Sequence, residues 1–170
     1  MSVPFPEPTD PASSRAEVFL RYLDFFRDRV IGKLRGLPPT ELYESRLMSG
    51  WAPIELLKHL RFVEMRWLEW GFEGRDVGDV WGDRRDGRWY VAPDESLDDL
   101  GAALLAQGER TRALVGRHDL EDIGRPGDRW GDGNKPPTLE RVLFHLLQEY
   151  ARHVGQLDIV SEISGGPLGE

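Results

Sequence analysis

The sequence predicts an all-α fold, a four-helix bundle of up-down-down-up order with a long crossover between helices 2 and 3. Three observations carry that prediction. Four stretches repeat apolar residues at the three- and four-residue spacing that gives a helix one oily face. No stretch sustains the period-two alternation of a strand; Trp89-Tyr90-Val91 comes nearest and is too short to build a sheet. The connection from Gly71 to Glu95 is much longer than the turn that joins antiparallel neighbours. A helix of roughly 18 residues is about 27 Å long, and this connection can run its whole height, so helices 2 and 3 are expected to point the same way.

The elements follow in order. Residues 1–12 hold Pro4, Pro6, Pro8 and Pro11 and read as an extended, partly mobile arm; residues 13–170 read as one bundle domain. Helix 1 begins at Ser14-x-x-Glu17, where a hydroxyl and a carboxylate satisfy the free N–H groups of a first turn. It carries Phe19, Tyr22, Leu23, Phe26, Val30 and Leu34, and stops at Gly36 and Pro38-Pro39. Helix 2 begins at Pro53, whose missing N–H needs no partner in the first turn, and ends at Gly71 with Leu56, Leu60, Val63, Trp67 and Trp70 inward. Helix 3 is capped by Ser96 and runs to the turn at Gly116, although Gly101 and Gly108 lower its propensity. Helix 4, from Thr138 to Gly165-Gly166, has the clearest pattern of the four. The connection 117–137, with four glycines and Trp130, and the connection 71–95 can both fold over the bundle.

Composition narrows the chemistry. The 170 residues include 30 acidic and 22 basic side chains, a net charge of −8, and no cysteine. There is therefore no disulfide, no thiolate metal ligand and no cysteine nucleophile. A metal ion would have to sit on His, Asp or Glu. The negative balance disfavours nucleic acid and anionic membrane, and no run approaches the roughly 18 apolar residues of a membrane span. The first residues lack the basic start and apolar core of a signal peptide, so a cytoplasmic location is expected.

Helix 4 carries a polar stripe where its core face should be. At 100° per residue from His145, Gln156 falls at about 20°, Glu149 at about 40° and His153 at about 80°, on the side of the helix marked by Val142, Leu146, Leu157 and Val160. A carboxylate in an apolar interior needs compensation. A closed hydrogen-bond network between Glu149 and the histidines would supply it, as would a metal-free acid/base pair. A metal ion would as well, because Glu149-x-x-x-His153 sets a carboxylate and an imidazole one turn apart on one face. A third ligand from another helix decides among these. His59, at the border of the apolar face of helix 2, is the natural candidate, although the same place suits a core histidine. His118, in a turn beside Asp119, reads as a surface residue.

The segment Gly50-Trp51-Ala52-Pro53-Ile54-Glu55-Leu56-Leu57-Lys58-His59-Leu60, then Arg66-Trp67, Asp94-Glu95-Ser96-Leu97, and the block from Leu143 through His145, Glu149, His153 and Gln156 to Asp158 resemble the DinB superfamily. More narrowly the chain is similar to its branch of mini-circle-type proteins, in order from about residue 14 to the C-terminus. The resemblance implies an up-down-down-up bundle, often a homodimer, with a divalent metal on one histidine of helix 2 and two residues of helix 4, here His59, Glu149 and His153. Many members have His at the place of Glu149. The His, Glu, His set is similar instead to the metal-binding domains of mycothiol-dependent maleylpyruvate isomerases. Ala52 stands where Thr or Ser is common and Gln156 where His is common.

Two neutral imidazoles and one carboxylate leave a 2+ ion with an open position, the composition of a catalytic site. Zn2+ is the first expectation, and Fe2+, Ni2+ or Mn2+ also suit the donors. His145 and Gln156 are expected beside the ligands, orienting them or touching a substrate. The implied activity is that of a metal-dependent S-transferase or isomerase, in which a low-molecular-weight thiol such as mycothiol attacks a small electrophile. A metal-dependent hydrolase is the alternative enzyme reading. A dimeric bundle whose polar stripe only specifies packing, or a stress-related binding protein, is the alternative without catalysis. Arg84, Arg85 and Arg88 can recognise a substrate carboxylate, but are expected to be solvated among Asp76, Asp79, Asp83 and Asp86. Trp51, Trp67 and Trp70 read as core or dimer contacts.

Overall fold

The helix starts are built largely from the side chains that the sequence indicates. The computed structural model describes residues 2–131 and 134–168. Helix α1 spans Arg15–Gly36, and Ser14 Oγ accepts from Glu17 N at 3.1 Å. Helix α2 spans Pro53–Met65. Ala52 has no hydroxyl to offer its first turn, but Glu55 still accepts from Ala52 N at 2.8 Å, so half of a capping box remains. Helix α3, Leu97–Val115, is capped by Ser96, and α4, Leu139–Ile163, by Thr138. The arm before α1 lies against it: Phe5 packs edge-on to Tyr22 and Phe25, and Asp28 accepts from Val3 N at 3.1 Å.

Two local features depart from expectation. Helix 2 does not run as a uniform α-helix to Gly71; after Met65 the chain widens into a π-helical segment, Arg66–Phe72, closed by Glu73 N donating to Leu68 O at 2.9 Å. The alternating Trp89-Tyr90-Val91 contributes only its first residue to a strand. Strand β1, Arg84–Arg85, pairs with β2, Arg88–Trp89, around Asp86-Gly87, both with positive φ, the geometry that lets a two-residue turn follow the twist of a hairpin.

Contacts between helices give the directions. Along α1 and α4, Arg15 meets Glu140, Phe26 meets Tyr150 and Lys33 meets Asp158, so these two are parallel. Along α2 and α3, Lys58 bonds Glu95 just before α3, and Glu73, just beyond the π-helical segment that continues α2, bonds Arg117 just beyond α3, so these are parallel as well. Helices α2 and α4 are antiparallel, since His59 meets His153 and Trp67 meets His145; α1 and α3 are antiparallel, since Arg35 meets Asp98 and Asp24 meets Arg112. The order is up-down-down-up, and the 73–96 connection is the crossover that makes α2 and α3 parallel.

At the middle of the bundle lies a charge that the hydrophobic pattern does not reveal. Glu64 of α2 has no exposed surface. Arg27 of α1 donates to both its oxygens at 2.8 Å, Thr111 of α3 donates at 2.6 Å, and the Tyr150 hydroxyl of α4 donates to Oε1. Each helix contributes one side chain. Gly108 of α3 has its reason here: a Cβ on it would stand 2.9 Å from the Arg27 guanidinium carbon. Burial and the adjacent Glu64 carboxylate push the Tyr150 phenol well above its ordinary value, so it remains a donor. Removing one partner strands the others. Arg27→Leu should lower unfolding free energy by about 3–5 kcal/mol, and Tyr150→Phe by about 1–3 kcal/mol, read from urea midpoints at unchanged slope. Midpoints within error of the parent in both variants would show that Glu64 does not depend on these donors.

Candidate metal centre

His59 sits midway along α2, and Glu149 and His153 lie one turn apart on α4; the antiparallel contact of these helices brings the three together. One donor atom from each lies within 4.8 Å of the other two. His153 Nε2 stands 3.2 Å from Glu149 Oε2. Both imidazoles are buried, while Glu149 retains 19% of its side-chain exposure. Among the described residues of the four helices the fully buried carboxylate is therefore Glu64, and Glu149 borders an opening. The hydrogen bond with His153 holds the Glu149 carboxyl below its ordinary value although burial opposes this.

Each imidazole is fixed from behind. His59 Nδ1 lies 2.9 Å from Asp83 Oδ2, and His153 Nδ1 lies 2.9 Å from Gln156 Oε1. An oxygen acceptor at Nδ1 places a proton there in each ring, which leaves His59 Nε2 with the lone pair that a metal requires, while His153 Nε2 shares its proton with Glu149, a proton that an arriving ion would displace. Asp83 comes from the crossover and is completely buried, with Arg66 donating to its two oxygens at 2.7 and 3.1 Å. Burial works to raise the Asp83 carboxyl, but the bonds from His59 and Arg66 prevail and hold it below the usual range. Burial outweighs Asp83 at His59 and lowers that imidazole, favouring the neutral ring. Trp89 of β2 stacks on His59 at 4.3 Å between ring centres and meets His153 edge-on at 5.5 Å, roofing the pair.

The expected neighbours fall into two places. Gln156 touches His153, as above. His145 is half-buried, its Nε2 3.5 Å from Glu149 Oε1 and its ring 4.1 Å from that of Trp67. His118 is apart from these groups, bonded to Asp122 at 3.0 Å. Residues 18–166 match the family described as Mycothiol-S-transferase, within the DinB-like superfamily. This chain belongs to the mycothiol S-transferase family. No curated protein matches it.

In this member of the mycothiol S-transferase family, Arg84, Arg85 and Arg88 are exposed, as expected, and Trp51 and Trp67 pack against the core. Asp83 is the exception in its loop. It does not solvate those arginines but turns inward to Arg66 and His59. No local signal separates it from Asp76, Asp79 and Asp86; only the fold, by folding the hairpin onto α2, does so. Long-range nitrogen–proton spectra of the metal-free protein at pH 7.5 should report a proton on Nδ1 of both His59 and His153, and none on Nε2 of His59. A bare Nδ1 at either residue would mean that Asp83 or Gln156 does not fix the tautomer of that ring.

Proposed function

We propose that this chain is a divalent-metal-dependent S-transferase, in which His59, Glu149 and His153 hold the ion and a low-molecular-weight thiol such as mycothiol attacks a small electrophile. The observation that supports it most is that both imidazoles are anchored through Nδ1, by Asp83 and Gln156, which makes Nε2 of each the atom that would meet an ion together with Glu149. The donor set fits Zn2+ first and Fe2+, Ni2+ or Mn2+ as well. A bound ion supplies Lewis acidity that lowers the pKa of a coordinated thiol from about 8.5 and so provides thiolate at neutral pH.

The residues of the chain do the rest. Asp83 and Arg66 keep the His59 ring in one orientation, Gln156 does the same for His153, and Trp89 covers both rings against water. Glu149, on the open side, leaves room for the thiol and the electrophile to meet. In the transfer the thiol sulfur forms a bond to the electrophilic carbon, the thiol proton passes to water, and the displaced group leaves with the bonding pair. The chain has no cysteine, so the sulfur must arrive with the thiol. The reading includes a cytoplasmic homodimer, for which exposed Phe144, Ile159 and Ile163 on α4 are the candidate contacts.

Metal analysis of protein prepared without a histidine tag should find close to one ion per chain, falling to background in His59→Ala and His153→Ala. Asp83→Asn, which leaves the ligands in place, should weaken metal affinity by about 10–100-fold. Equal trace metal in the parent and both alanine variants would overturn the assignment. Mycothiol should raise the melting temperature of the metal-loaded protein and have no effect after chelation. No rise at millimolar thiol would overturn the thiol part and leave hydrolysis as the metal-dependent reading.

A further inference from the structure

A second site lies next to the metal centre, built by the connection between α3 and α4. A cavity of about 510 Å3 opens beside His145, with Trp67, Trp130, Lys135 and Arg141 in its walls. The segment carrying Trp130 is pinned to the π-helical segment, because the Trp130 indole donates to Gly71 O at 2.8 Å. Arg129 lies across Gly71, where a Cβ would stand 2.8 Å from its Cδ. Its guanidinium carbon is 4.1 Å from the ring centre of Trp67, 5.3 Å from that of Trp70 and 5.5 Å from that of Trp130.

That arrangement is incomplete as it stands. Stacking on indole faces favours a cation by about 0.5–2 kcal/mol, but it satisfies none of the guanidinium's N–H groups. Arg129 Nε is buried and has no acceptor among the described residues. Burial and the neighbouring Arg66 both act against its charge. Glu140, the acid next to Arg141 in sequence, is turned to Arg15. Three cationic side chains thus lie in or beside one aromatic cavity of a chain whose net charge is −8. A planar guanidinium fork matches a carboxylate, and flat indole faces match a flat body. The path to the metal centre is short: Trp67 touches His145, and His145 touches Glu149.

We propose that this cavity binds the electrophile, and that it takes a small flat molecule bearing a carboxylate or similar oxyanion, with the anion on Arg129 and the body against Trp67 and Trp130. The assignment as the electrophile site rests on the S-transferase reading; the anion site itself does not. Its test uses cinnamate and its neutral counterpart cinnamamide as probes, followed by quenching of tryptophan fluorescence at pH 7.5. Cinnamate should bind about tenfold more tightly than cinnamamide, and Arg129→Gln should reduce cinnamate to the level of the amide without changing the amide. Should the Gln variant fail to fold, Arg129→Lys keeps the charge but not the fork, and it should weaken cinnamate severalfold while leaving cinnamamide unchanged. His59→Ala, which removes a metal ligand, should bind cinnamate as the parent does. Equal binding of acid and amide, no binding of either at millimolar concentration, or cinnamate affinity indifferent to Arg129 would overturn the proposal. Loss of cinnamate discrimination with metal and thiol binding intact removes only this site. Discrimination in a protein that holds no metal removes only the S-transferase reading.

Discussion

The rest of the structure depends on the Glu64 carboxylate. Helix bundles packed only by leucine and valine can slide by a turn at modest cost, because one apolar ridge resembles the next. A buried charge cannot slide. Glu64 is satisfied only where Arg27, Thr111 and Tyr150 reach it together, so it fixes the height of α2 against all three other helices. Well-packed hydrophobic residues could provide equal or greater stability, which makes register rather than stability the effect that the arrangement best accounts for. Tyr150 follows Glu149 in sequence. The bond that sets α2 against α4 is therefore made one residue from a member of the His59, Glu149 and His153 cluster, and it leaves His59 opposite His153 and Trp67 opposite His145.

The crossover contributes twice. Its length lets α2 and α3 run parallel, and its hairpin places Asp83 and Trp89 on the buried side of His59. Covered in this way, α2 has almost no solvent face: Lys58 is buried against Glu95, and within Pro53–Met65 only Glu55 and Arg61 are not buried. A helix covered on nearly every side gives a weaker amphipathic pattern than α1 or α4.

That explains which parts of the molecule the sequence disclosed. Caps at Ser14, Ser96 and Thr138, the polar stripe of α4 and the need for a long crossover are local or periodic features, and they were legible because their physics is contained in a few neighbouring residues. The pairing of His59 with the α4 stripe was readable as a need for a third donor, and the family resemblance named it. Glu64, Asp83 and Arg129 were not readable. Each is a charged residue in an ordinary charged context, distinguished only by a partner far along the chain: Glu64 by Arg27 and Tyr150, Asp83 by His59 and Arg66, Arg129 by Trp67 and Gly71. The same limit explains why Glu149 was expected to be the deeply buried carboxylate. A helical wheel gives the direction a side chain faces but not whether another element stands there, and on that side of α4 the bundle is partly open.

The π-helical segment joins these separate parts. Its first residue, Arg66, reaches inward to Asp83 and so supports His59; its second, Trp67, supports His145 beside Glu149; and its sixth, Gly71, receives Trp130 and makes room for Arg129. A regular α-helix continuing from Met65 would have closed Glu73 N onto Glu69 O rather than Leu68 O, shifting the later residues relative to the earlier ones. The wider winding is a local irregularity in backbone bonding, and such irregularities persist where the surrounding contacts hold them. Here the contacts lie on both sides: the Asp83 carboxylate takes Arg66 before the widened turn, and the connection to α4 takes Gly71 near its end. The support of His59 on α2 and the aromatic cavity next to it are thus set by one seven-residue stretch. A change within that stretch would disturb both sites together, even though the two share no ligand.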